Sequence, residues 1–187
     1  PTYEEGDEST FELVVAGRGG VPSNVKAVVL NVAVTGAVSD GFITAFPCGE
    51  SKPNAANLNY AVGDTVPNLV IAKVGAGGKV CLFTFGATHL VADVNGYFDA
   101  GSTYSALNPG RLLDTRPDGT TVDGVAAQRG AVGGGDTVEL LVGGRGGVPS
   151  DASAVVLNVA VTGPTDAGFI TVFPCGSPIP NAANLNY

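Results

Sequence analysis

The chain repeats itself. Residues 12–60 and 139–187 align without a gap at an offset of 127, from Glu12 to Glu139, and 36 of the 49 aligned positions are identical. A repeat constrains the fold before composition does, because both copies must solve the same packing problem. Most of the differences gather at residues 24–26, 37–40 and 50–52, the polar stretches where solvent is expected, while the apolar stretches barely change. A period of 127 is too long for one rung of a solenoid and suits a whole domain. The 187 residues therefore hold about one and a half units. Residues 1–100 read as a module without its N-terminal segment, and residues 101–187 as a second module without its C-terminal strands. A chain opening on Pro1 with no Met anywhere is expected to be a processed product or a piece of a longer protein.

Nearly every apolar stretch of the unit reads as strand. Residues 11–15, 27–35, 41–46, 69–74, 79–85 and 89–94 are short and rich in Val, Ile, Leu, Phe and Thr, with Gly, Pro, Asn and Asp clusters between them. That spacing is typical of an all-β sandwich. Both alternate sets of residues 27–35 are apolar, which marks a central strand covered on both faces. The Gly75-Ala76-Gly77-Gly78 run predicts a hairpin turn, with another at Gly86-Ala87, and Gly17-Arg18-Gly19-Gly20-Val21-Pro22 predicts a bent loop. No stretch carries helical periodicity with plausible caps. The expected fold class is all-β, a jelly-roll-like β-sandwich in tandem modules.

Composition narrows the function. Charged residues are 14% of the chain against about 25% in an average domain, and the net charge is −8. An acidic chain is poorly suited to nucleic acid, whose affinity comes mostly from Lys and Arg neutralising phosphates, or to an anionic membrane surface. No apolar run is long enough for a membrane-spanning helix. With His89 the sole histidine, Ser-His-Asp or Cys-His machinery would have to be built around that residue. An enzyme is not expected. A hydrolase carried by unassigned Asp and Glu residues is the third reading.

Cys48 and Cys81 lie 33 residues apart, while Cys175 is the repeat equivalent of Cys48 and its own partner would fall at position 208, past Tyr187. A Cys48–Cys81 disulfide follows, with buried free thiols as the alternative, and a disulfide implies an oxidising, extracellular setting. Four further groups invite chemistry. Asp93, Asn95 and Asp99 spell part of a calcium loop, set against a plain strand-end turn, so calcium is the one cofactor considered and none is expected. Arg111, Asp114 and Arg116 read as an ion pair pinning a strand, or as an Arg pair for a sugar or carboxylate. Arg18 and Arg145 recur in the Gly-rich loop, which reads as a structural bend or an anion cradle. Tyr60, Tyr97, Tyr187 and Phe98 form an aromatic set, for core or interface packing or for a sugar face.

The ordered segments LLDTRPDG (112–119), GRGGVPS (144–150), AVVLNVAVTG (154–163), FITVFPCG (169–176), PNAANLNY (180–187) and VADVNGYF (91–98) together resemble the tandem β-rich repeat modules of secreted and cell-surface proteins of actinobacteria. The resemblance covers essentially the whole chain. It implies an exported accessory module with no catalytic residues to carry over, beginning near LLDTR and ending at VNGYF. The expected function is a non-catalytic structural or adhesive repeat, self-associating through its incomplete second module into an extracellular fibre or layer. The runner-up is a module that binds carbohydrate or cell-wall polysaccharide. No nucleic acid partner and no membrane insertion are expected.

Overall fold

The structure is a computed structural model and describes residues 8–187. The first seven residues of the unit assigned to 1–100 lie outside the described residues. The first copy forms β1 (Glu8–Val14), β2 (Ala27–Thr35), β3 (Gly41–Pro47), β4 (Leu58–Tyr60), β5 (Thr65–Lys73), β6 (Lys79–Phe85) and β7 (His89–Phe98). All of their pairings are antiparallel. One sheet runs β1-β6-β3-β4 and the other β5-β2-β7. The fold is all-β, as its residue types require: β-branched and aromatic side chains fit a pleated, half-buried surface.

β2 organises the packing. Val28, Leu30, Val32 and Val34 are at most 1% exposed and face the opposite sheet, where Ile43, Ala45, Val80 and Leu82 meet them in one core cluster. Both sheets thus contribute to a single sandwich-like core. Hydrogen bonds to β5 on one side and β7 on the other satisfy the β2 backbone, with a bulge in the β2–β7 ladder at Val29/Leu30. On the far face of the four-stranded sheet, Phe46, Cys48, Cys81 and Phe83 form a second cluster with Phe42. The Cys48–Cys81 disulfide staples the end of β3 to β6 there, with Cα atoms 5.0 Å apart, and Lys52 Nζ lies 4.2 Å above the Phe83 ring.

Two turn assignments are corrected. Residues 75–78 and Gly86-Ala87 are not hairpin turns, because β5 and β7 lie in one sheet and β6 in the other, so the chain crosses the core at both places. Gly75 passes so close to the Cys48 backbone that any Cβ would collide with it. Strand β4 was not foreseen: three residues, Leu58-Asn59-Tyr60, are too few to show a period. Strand β5 begins at Thr65 rather than at 69, carrying Pro67 on its unpaired edge, where a missing N–H costs nothing.

The second copy forms one strand pair, β8 (Phe169–Ile170) with β9 (Leu185–Asn186), in the register of β3 with β4: Phe169 faces Asn186 as Phe42 faces Asn59. Residues 154–162 match β2 letter for letter yet form no strand ladder among the described residues; Asn158 Nδ2 donates to Ala56 O at 2.9 Å. Their Val155 and Leu157 are 37% and 41% exposed, where Val28 and Leu30 are 0% and 1%. The partners of β2 are β5 and β7, whose equivalents would be residues 192–200 and 216–225. Among the described residues no helix is long and apolar enough to cross a membrane.

Closing a loop of 33 residues by a disulfide stabilises a fold by about 4 kcal/mol in the chain-entropy account. The Cys48→Ser/Cys81→Ser double variant is expected to lose about that much in urea unfolding of the first copy, with no change in its strand content by circular dichroism.

Candidate docking site

The two Gly-rich loops have one backbone. Gly17 N–H donates to Val21 O at 3.0 Å and Val21 N–H to Arg18 O at 2.9 Å; Gly144 with Val148 and Val148 with Arg145 repeat both bonds at 2.9 Å. Three glycines in each loop sit at positive φ (Gly17, Gly19, Gly20 and Gly144, Gly146, Gly147), the left-handed region that side chains avoid.

Their arginines differ in what they hold. Arg145 is 8% exposed. Its Nε and Nη2 donate to Asp123 at 2.7 and 2.8 Å, its Nη1 to Leu141 O at 2.7 Å, and its Nη2 also to Leu112 O and Val125 O at 3.0 and 2.9 Å. A planar guanidinium filled on both prongs by a carboxylate is a strong, oriented contact. The Arg145 hydrogen bonds hold the Asp123 carboxyl well below the usual range. Apolar side chains close the nest: Leu112 and Val122 lie against Gly146, and Leu107 against Gly147. Arg18 repeats the first of these bonds alone, Nη1 to Val14 O at 2.9 Å, and is exposed; among the described residues it makes no other.

The covering segment is tied together by a second ion cluster. Arg111 Nη1 and Arg116 Nη2 donate to Asp114 Oδ2 at 2.9 and 2.8 Å, and Arg116 Nε donates to Oδ1 at 3.0 Å. Asp114 is 7% exposed, and the Arg116 hydrogen bond lowers its pKa to about 2. Its backbone bonds Ala126 O and Gln128 N–H, closing residues 114–128 into one compact turn. These three residues thus pin the segment to itself, with both guanidinium groups engaged.

The other sequence candidates fall apart spatially or chemically. Tyr60 is a core residue, 5% exposed, its hydroxyl within 2.9 Å of Thr84 Oγ1, Phe85 O and Gly86 O, so it offers no face to a ligand. Tyr187 repeats the packing of Tyr60 on Gly41, against Gly168, and is 42% exposed. Tyr97 is 47% exposed on β7, and Phe98 stacks on Tyr104 at 4.4 Å. Asp93 pairs with Asn31 in the β2–β7 ladder and Asn95 is the residue left unpaired at its bulge, while Asp99 Oδ1 accepts the Gly101 N–H at 3.0 Å. The group of His, Cys and acidic ligand atoms that does converge, among the described residues, is Glu12 with Cys48 and Cys81, whose sulfurs are bonded to each other. Cys175 is a free, exposed thiol. His89 borders a hollow of about 40 Å³ with Gly36, Val38, Ala87 and Thr88. A wider open groove of about 330 Å³ is flanked by Arg129, Asp136 and Glu139, without a histidine or cysteine.

The sequence reading missed Asp123 altogether. Its signal was present: an acid between Val122 and Gly124, in a turn where Thr121 Oγ1 and the Val125 N–H both bond its Oδ1. No protein-family model, curated protein or solved structure matches this chain.

Two outcomes test the nest. An Asp whose folded pKa lies below its unfolded value of about 3.9 stabilises fully above that pH and loses its contribution as pH falls through the folded value. The turn around Asp114 is therefore expected to hold at pH 5 and to loosen between about pH 4 and pH 2, read as the collapse of the Gln128 amide shift in an NMR titration. Arg145→Ala is expected to strip amide-exchange protection from residues 107–128 while leaving β2 protected.

Proposed function

We propose that this chain is a non-catalytic structural and adhesive repeat module of an exported bacterial surface protein, joined to its neighbours by completion of β-strands. One observation carries the reading. Residues 154–162 present nine strand-forming residues, identical to a central strand, with both hydrogen-bonding edges unpaired. An extended apolar segment with free N–H and C=O groups takes up whatever strand fits it. Here the fitting strands are known: β5 and β7 flank the same sequence in the first copy. Whether they come from the same polypeptide or another copy, the pairing chemistry is the same. Between copies the contact is head-to-tail, and a heterologous contact that does not close builds a fibre or a layer. The disulfide and the acidic, weakly charged surface suit an extracellular, cell-surface setting.

A second reading, binding of cell-wall polysaccharide, draws on the exposed rings of Tyr97 and Tyr187. Retention on peptidoglycan, chitin or cellulose that Tyr97→Ala abolishes would support it.

Light scattering on a sizing column, with negative-stain microscopy of the same non-reduced sample, tests strand completion. Species well above 18.6 kDa and ordered fibres are expected. Synthetic peptides of residues 65–73 and 89–98, added together, should cap residues 154–162 and shrink those species. A monomer, or amorphous aggregate indifferent to the peptides, would sink the reading.

A further inference from the structure

The first copy passes into the second through a built turn. β7 ends at Phe98, and the residues after it bond to one another. Asp99 Oδ1 accepts the Gly101 N–H at 3.0 Å, Asp99 O accepts the Ser102 N–H at 3.2 Å, and Ser102 Oγ accepts the Tyr104 N–H at 3.0 Å. The half-buried Tyr104 ring comes back onto Phe98, with centroids 4.4 Å apart and planes tilted by 32°. Neighbouring domains on a flexible linker move freely, and that is the ordinary expectation for a short polar connection. Residues 99–104 depart from it, because their polar groups close the turn and their ring is clamped to the strand just left.

A second contact lies away from the linker, where Asn54 Nδ2 donates to Thr120 Oγ1 at 2.8 Å. Asn54 stands in the loop between β3 and β4, whose neighbouring polar groups hold the loop itself. Thr44 Oγ1 donates to Ala55 O, and the Ala45 N–H donates to Asn57 Oδ1 at 2.7 Å. The second copy builds the same loop, with Thr171 Oγ1 on Ala182 O and the Val172 N–H on Asn184 Oδ1. Asn54 takes no part in that network; it is exposed, and its side-chain bond points outward to the other copy. The exposed residues just before it change between copies, Glu50-Ser51-Lys52 becoming Ser177-Pro178-Ile179, yet Asn54 recurs as Asn181. Thr120 is exposed on the segment that Arg145 holds, and its hydroxyl is outside the bonds of that nest. Asn158 Nδ2 adds a bond to the same loop, at Ala56 O. We propose that the Phe98–Tyr104 clamp and the Asn54–Thr120 bond together form a fixed joint between consecutive modules, in which the β3–β4 loop of one module seats the Arg145-held segment of the next. Two contacts at separate points on one module remove the swivel that either alone would allow. A run of such modules rises as a stiff stalk. The joint lies within one polypeptide, so it is independent of strand completion and holds whether the modules build fibres or bind a wall polymer.

The test reads the spread of distances inside one full-length chain. Nitroxide labels are placed at Val62→Cys and Asp118→Cys, both exposed positions, with Cys175→Ser removing the free thiol. Double electron–electron resonance is recorded with unlabelled chain in excess, so that pairs between chains contribute nothing. A single narrow distribution is expected. Tyr104→Ala and Asn54→Ala should each broaden it, and together at least double its width. Thr120→Val should match Asn54→Ala and add nothing to it, as two ends of one bond must. All three substitutions lie outside the strands, so the circular dichroism of the first copy should not change. A distribution already broad in the parent chain overturns the proposal. So does a narrow one that survives Tyr104→Ala combined with Asn54→Ala.

Discussion

A strand that is apolar on both faces is stable only inside something. β2 meets that condition completely: ladders on both edges, the other sheet on one face and a half-covered outer face. Its side chains bury apolar area at about 25 cal/mol per Å², and its backbone groups have no water to fall back on, so the ladders are obligatory. The rest of the unit follows from supplying them. β5 and β7 flank β2, and β6 anchors β1 and β3 in the sheet that β2 packs against. Residues 154–162 state the same rule from the opposite side. There the identical sequence has no ladder on either edge and is mostly exposed, with Asn158 Nδ2 donating to Ala56 O at 2.9 Å.

The arginine loops obey a parallel rule. A guanidinium with five donors in a rigid fork is satisfied by a carboxylate and a ring of carbonyls together. Arg145 has both and is buried; Arg18 has one carbonyl and is exposed. The same seven-residue stretch, GRGGVPS, thus appears once with its arginine buried and once with it exposed. What decides between the two is a segment distant in sequence, 20 to 33 residues upstream of the arginine it covers.

Much of the fold was legible because it rests on local patterns. β2 and β6 fall on their expected residues, since continuous β-branched and aromatic runs bounded by turn residues leave little freedom. The disulfide was legible from the repeat, which explains the odd cysteine. Sheet membership was not. Gly75-Ala76-Gly77-Gly78 has hairpin composition, but whether two flanking strands pair or cross is set by tertiary packing. Tyr60 takes the core-packing alternative of its aromatic set, and what fixes it there, the carbonyls of Phe85 and Gly86, lies 25 and 26 residues away. Asp123 stayed hidden because its partner is 22 residues downstream.

Strand order also dictates when a unit can fold during synthesis. β6 enters between β1 and β3, and β7 closes β2 on its free edge, so the two strands made last complete both sheets. Before they emerge, the β3–β4 and β2–β5 pairs have both members available. Non-local pairing of this kind makes folding slow and late. A ribosome threading out such a unit therefore carries two partial sheets that β6 and β7 complete last. In a run of similar units this spaces the folding events in time and keeps neighbouring, nearly identical sequences from meeting while both are open.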